Sequence, residues 1–178
     1  VSARQAIVFV GLMGSGKTTV GKRVAQELGY AFVDSDELIT QKAGKSVRDI
    51  FSQDGEQVFR SYETEAIQEA LCSGTSNVVL ATGGGAVISE SNRKMFQDCA
   101  TRVIWLDASI EDLVARTKSG VARPLLDGNA EQTLKSLSEQ RASWYEQVAD
   151  IRIDTRGKSA AKVCSQVVDE LRSDGSDE

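Results

Sequence analysis

No histidine occurs anywhere in the 178 residues. That absence removes Ser-His-Asp triads, imidazole metal sites and histidine acid–base chemistry. It leaves carboxylates, lysine, tyrosine and cysteine as candidate proton acceptors. Proline occurs once, at Pro124, and aromatic residues make up only 6% of the chain. No apolar run approaches the roughly 18 residues a membrane span needs, so no membrane partner is expected. The three cysteines, Cys72, Cys99 and Cys164, are odd in number and widely spaced. That usage suits free thiols in a reducing cytoplasm better than a disulfide framework or a zinc site. Basic excess is also missing: the net charge is −5, whereas nucleic-acid binders more often carry surplus lysine and arginine. No nucleic-acid partner is expected, and any anion must be bound by cations concentrated locally. The N-terminal VSARQAIVFV turns almost directly into a strand, with no room for a signal or transit peptide, so a cytoplasmic location is expected.

What is present reads as an ordinary globular composition, 40% hydrophobic and 26% charged, with about one domain's length. A single domain over 1–172 is expected, followed by a disordered acidic tail, SDGSDE, at 173–178. Strand-like apolar runs stand at 6–10 (AIVFV), 31–34 (AFVD), 78–81 (VVLA), 102–106 (RVIWL) and 151–153 (IRI). Helical periodicity fills the gaps. Val20, Val24 and Leu28 recur every four residues before Gly29, and Ala160, Val163, Val167 and Leu171 share one face further on. SVRD at 46–49 and SIED at 109–112 resemble capping boxes with Asp in the last position. Strands alternating with helices predict an α/β fold, a mostly parallel sheet covered on both faces. The longest non-periodic stretch, KSGVARPLLDGN at 118–129, predicts a mobile loop.

GLMGSGKT, residues 11–18, matches the phosphate-loop pattern in full, with a buried strand before it and a helix after it. Backbone N–H groups curl around phosphate oxygens, and the helix N-terminus adds partial positive charge. Gly14, Ser15, Gly16, Lys17, Thr18 and Thr19 are therefore nucleotide-binding candidates. Lys17 is expected to reach the β- and γ-phosphates, and Thr18 to place its hydroxyl on magnesium.

A phosphate loop usually works with a carboxylate after another strand. The strand VVLA runs instead into Thr82, Gly83, Gly84 and Gly85. Carboxylates appear after the second strand, in FVDSDE. Alternate residues of an extended segment point the same way, so Asp34 and Asp36 can face one cleft. One can help hold magnesium and the other can take the proton of an acceptor hydroxyl. The plainer alternative is that Asp36 caps a helix beginning at Glu37 and Leu38. The three glycines let a ligand approach the backbone closely and permit positive φ, which reads as a binding floor.

Three arginines stand in unexpected places. Leu134, Leu137, Trp144, Tyr145 and Val148 form the apolar stripe of a helix over 130–148, and Arg141 falls in its middle. A buried arginine needs an anion, from a substrate carboxylate or from a protein Asp or Glu. Arg60 shares a face with Ile67 and Leu71, yet it can equally pair with Glu56 one turn earlier. Arg123 lies in the loop before Pro124, where an arginine can close over a triphosphate.

Taken together, GLMGSGKTT, FVDSDELI, SVRDIFSQDGEQVFR, ATGGGAV, RPLL and SWYEQVAD resemble the shikimate kinase family in content, order and spacing. The resemblance implies a three-layer αβα P-loop fold of the nucleoside-monophosphate-kinase type. Its five-stranded parallel sheet would have the order 2-3-1-4-5, with a substrate-binding segment at about 34–61 and a lid at about 116–127. It implies transfer of the γ-phosphate of ATP to the 3-hydroxyl of shikimate, with Mg²⁺, in the chorismate route to aromatic amino acids. Asp36, Arg60, Gly83, Gly84, Gly85 and Arg141 would hold shikimate, with Asp36 the candidate base. Thr18 and Asp34 would belong to the magnesium site. Lys17 and Arg123 would act on the phosphates, and Arg116 and Arg156 would lie against the adenine. A monomer acting on small molecules is expected. A gluconate-type kinase and a nucleotide-binding regulator are the alternatives.

Overall fold

The computed structural model describes residues 4–74, 76–100, 102–118 and 129–174. Residues 119–128 of the expected mobile loop, with Arg123 and most of the expected lid, lie outside them.

The five apolar runs are five strands: β1 (Ala6–Val10), β2 (Ala31–Asp34), β3 (Val78–Ala81), β4 (Arg102–Asp107) and β5 (Ile151–Asp154). They form one sheet in the order β2-β3-β1-β4-β5, every neighbouring pair parallel. β1 and β3 are buried along their whole length. A strand covered on both faces has no reason to alternate polar with apolar, hence the uninterrupted runs in the sequence.

The helices divide between the two faces. On one, α1 (Lys17–Leu28) and α8 (Ala160–Asp174) cover Ile7, Phe9, Val79 and Ile104 with Val20, Val24, Val163 and Val167. On the other, Ala6, Val8, Val10 and Leu80 meet α4 (Glu56–Cys72), α5 (Glu90–Cys99), α6 (Ile110–Lys118) and α7 (Ala130–Val148) through Ile67, Phe96, Leu113 and Leu134. A third, smaller cluster of Ile39, Ile50, Phe59 and Ala66 joins α2 (Ser35–Ala43) and α4. Between those two helices lie α3 (Val47–Asp49) and a π-helical turn, Ile50–Asp54.

Three local expectations are corrected. α2 begins at Ser35 rather than Glu37, because Asp34 is its N-cap and accepts a bond from Asp36 N. α8 runs through Ser173 to Asp174, two residues into the expected tail, and Ser173 Oγ bonds Asp169 O inside that helix. The SVRD box closes only half-way. Ser46 Oγ accepts from Asp49 N, but the shorter Asp carboxylate reaches the Ser46 hydroxyl instead of its backbone N–H. The thiols are free, and Cys72 Sγ at the end of α4 lies 2.9 Å from Cys99 Sγ at the end of α5.

Candidate active site

In a parallel sheet every strand delivers its C-terminal end to the same edge, where ligands bind. Here that edge opens into a cavity of about 820 Å³, within the size range of small-molecule sites. The segments after β1, β2 and β3 form its floor, and α4, α6 and α7 supply arginines to its walls.

The donor half is the turn between β1 and α1. Gly16, the N-cap of α1, has φ 97°, a left-handed conformation that costs a residue with a Cβ. The first turn of α1 carries no acidic residue, which keeps the helix terminus favourable to an anion. Gly14, Gly16, Lys17, Thr18 and Thr19 line the cavity, whereas Ser15 is buried behind it. Lys17 is also buried, and its Nζ donates to the loop's own carbonyls, Gly11 O at 2.7 Å and Leu12 O at 2.8 Å. Arg116 of α6 reaches over the turn to Gly14 O at 3.2 Å and lines the same cavity. Arg156 stands apart: it follows β5, is paired with Asp154 at 2.7 Å, and is not among the cavity's lining residues.

Asp34 and Asp36 both line the cavity, but not by the alternation of an extended chain, since Asp36 lies in the first turn of α2. Thr18 Oγ1 donates to Asp34 Oδ2 at 2.7 Å. A hydroxyl and a carboxylate side by side at a phosphate loop are hard oxygen donors that fit Mg²⁺. Among the described residues no cluster of three or more His, Cys, Asp or Glu could hold a metal alone.

The glycines after β3 have a steric explanation. None of Gly83, Gly84 and Gly85 has positive φ, so the expectation of backbone freedom is replaced by one of close packing. A Cβ on Gly83 would lie 2.9 Å from Glu63 Oε1, one on Gly84 3.0 Å from Met13 N, and one on Gly85 2.6 Å from Arg60 Nη2. Thr82, at the strand end where the missing carboxylate was sought, spends both its N–H and its hydroxyl on Phe9 O, tying β3 to β1.

Arg60 meets Glu56 at 3.1 Å, as the plainer reading expected, and also Glu63 at 2.8 Å. Glu63 was not anticipated. It is fully buried, its Oε1 has no hydrogen-bond partner among the described residues, and burial pushes its carboxyl up to about 7 against the pull of Arg60. Arg141 is 4% exposed and lines the cavity, and its buried Nη1 has no hydrogen-bond partner among the described residues. Two further residues escaped the sequence reading. Ser35 is buried, and its Oγ accepts from Gly83 N at 3.1 Å. Tyr145, read only as part of an apolar stripe, donates from its hydroxyl to Gly84 O at 2.6 Å.

A family model described as shikimate kinase matches residues 13–172. A shikimate kinase of Geobacter sulfurreducens is 45% identical over 93% of this chain and 90% of its own. One of Persephonella marina is 42% identical over 93% and 98%. Among solved structures, the shikimate kinase from Acinetobacter baumannii in complex with shikimate superposes with a TM-score of 0.90 at 36% identity, covering 96% of this chain and 94% of that one. A parallel sheet in the order β2-β3-β1-β4-β5, a phosphate loop at its edge and matches over nearly the whole length agree: the chain belongs to the shikimate kinase family.

Proposed function

We propose that the residues gathered at this edge phosphorylate the 3-hydroxyl of shikimate with ATP, each in a separate role. The observation that carries the assignment is Arg141. A guanidinium N–H buried beside a cavity without a partner among the described residues calls for an anion, and a carboxylate matches its fork geometry. Arg60, already oriented by Glu56 and Glu63, is the second cation for the carboxylate of shikimate. Asp36, across the cavity floor, takes the hydroxyls and the proton released at the attacking oxygen. Gly83, Gly84 and Gly85 form the surface beneath the acceptor.

On the donor side, backbone N–H groups from Gly14 to Thr19 and the α1 terminus hold the phosphates. Lys17 exchanges its loop carbonyls for phosphate oxygens, and Arg116 serves the adenine, whereas Arg156, held by Asp154 outside the cavity, is given no contact with it. Thr18 and Asp34 would hold Mg²⁺, which when bound would supply charge neutralisation at the phosphates. Arg123 approaches from a lid at 116–127, and residues 34–61 form the acceptor-binding segment. Most of the rate then comes from alignment and charge neutralisation, and Asp36 need not be a strong base. Water exclusion by the lid limits futile hydrolysis of ATP. No helix among the described residues is long and apolar enough to cross a membrane, and the reading is completed by a cytoplasmic monomer without a nucleic-acid partner.

The test is a coupled ADP-release assay with ATP and Mg²⁺. Shikimate is expected to support turnover where gluconate and nucleoside monophosphates do not. Arg141→Ala is expected to raise the KM for shikimate about 100-fold, as removing one member of a charge-assisted contact does. Asp36→Asn is expected to lower kcat by about 10²-fold or more. Unchanged shikimate kinetics in Arg141→Ala would remove the central assignment.

A further inference from the structure

Tyr145 lies one turn beyond Arg141 on α7 and is 2% exposed. Its ring stacks on Trp105 of β4, centroids 5.5 Å apart. Packing accounts for the ring and not for the hydroxyl, since a phenylalanine would fill the same space. The hydroxyl donates to Gly84 O at 2.6 Å, on a different element, and the Arg141 charge acts on it. A phenol has one proton, which goes to the carbonyl, so it presents its oxygen lone pairs to a nearby guanidinium. Burial pushes the phenol up to about 12, so it keeps that proton across the neutral range. The peptide it holds is itself wedged against the phosphate loop, where a Cβ on Gly84 would stand 3.0 Å from Met13 N.

One oxygen thus holds the floor that rests against the donor half, beside the charge of an arginine of the acceptor half. We propose that Tyr145 is a positioning residue for phosphoryl transfer, its hydroxyl fixing the Gly84 peptide next to Arg141, one turn away on the same helix, so that the bound acceptor is aligned with the phosphate loop. This rests on the role of Arg141 as the acceptor's anchor. Removing the hydroxyl leaves the Gly84 carbonyl without its partner and takes a dipole from beside Arg141, and both can then move.

Tyr145→Phe removes the oxygen and keeps the ring, so the core remains filled. Measured on the full chain with ATP, Mg²⁺ and shikimate, it is expected to raise the KM for shikimate about tenfold and to leave the KM for ATP within about twofold. Tm should change little. Arg141→Ala and the double variant complete a cycle. If the hydroxyl acts through Arg141, the double variant's KM for shikimate equals that of Arg141→Ala alone. Fully additive losses, or a Tyr145→Phe enzyme with lowered Tm and unaltered KM for shikimate, would reduce the hydroxyl to a structural bond and overturn the proposal while leaving Arg141 as the anchor. An Arg141→Ala enzyme with normal shikimate kinetics overturns both.

Discussion

Glu63 takes the place that histidine holds in many enzymes, as a group whose charge changes near neutral pH. Burial raises its carboxyl to about 7, and the Arg60 charge opposes that rise, with Asp36 and Arg141 as further charged neighbours. Because the folded-state value lies above the ordinary 4.5, ionised Glu63 works against the fold. Its favourable contribution is full below about 4.5 and is lost as pH climbs to about 7. The same ionisation places a negative charge beside the two arginines assigned to an anionic acceptor. The KM for shikimate is therefore expected to rise about fivefold between about pH 6 and 8, the effect of roughly 1 kcal/mol of charge interaction. Glu63→Gln is expected to flatten that profile, and parallel profiles for the two proteins would exclude Glu63 as the titrating group. Glu63 was legible in principle. It sits four residues before Ile67 and seven before Ala70, on the buried stripe of α4. Nothing in the pattern singles it out, because a pairing of Arg60 with Glu56 one turn earlier needs no second carboxylate. Arg141 was found because its stripe is unmistakably apolar, which leaves a lone cation conspicuous.

Among the elements, the segment after β3 carries the sharpest contrast. The atoms facing Gly85 are the flexible end of Arg60, whereas those facing Gly84 are the backbone of the phosphate loop. Gly85→Ala is expected to displace Arg60, raise the KM for shikimate about tenfold and barely alter Tm. Gly84→Ala is expected to push on Met13 and Gly11, so that the KM for ATP rises as well and Tm falls. Steady-state kinetics with each substrate varied in turn, together with thermal unfolding, separate the two; identical phenotypes would mean the loop moves as one body. The strands themselves were readable nearly to the residue, since central parallel strands are continuous apolar runs bounded by glycine or charge. Helix starts were less readable. FVDSDE pointed to Asp36 as the cap, and the bond from Asp36 N to Asp34 Oδ1 makes Asp34 the cap instead. The steric role of the three glycines was not readable, because their neighbours come from α4 and from the β1–α1 turn, distant in sequence.

At the scale of the molecule, an acidic chain gathers Lys17, Arg60, Arg116 and Arg141 around one cavity. Parallel strand direction does most of this, since it brings every strand's C-terminal end to one edge. Periodicity predicted that the sheet would be parallel. The strand order came only from the resemblance, because a pattern of apolar residues does not say which strand lies beside which. The far ends of α4 and α5 hold a feature that the kinase chemistry does not use, the Cys72–Cys99 contact at 2.9 Å. Exchange with a small disulfide reagent would pass two hydrogens to the reagent and join the two helix ends, closing a loop in the unfolded chain as well. Oxidised protein is expected to show one titratable thiol, that of Cys164, and a Tm higher by roughly 5–10 °C, reversed by reductant and abolished in Cys72→Ser. Three titratable thiols and an unmoved Tm would contradict this. The melting temperature of a preparation would then report its history of oxidant exposure, and two laboratories that differ only in reductant would measure the heat tolerance of two different covalent molecules.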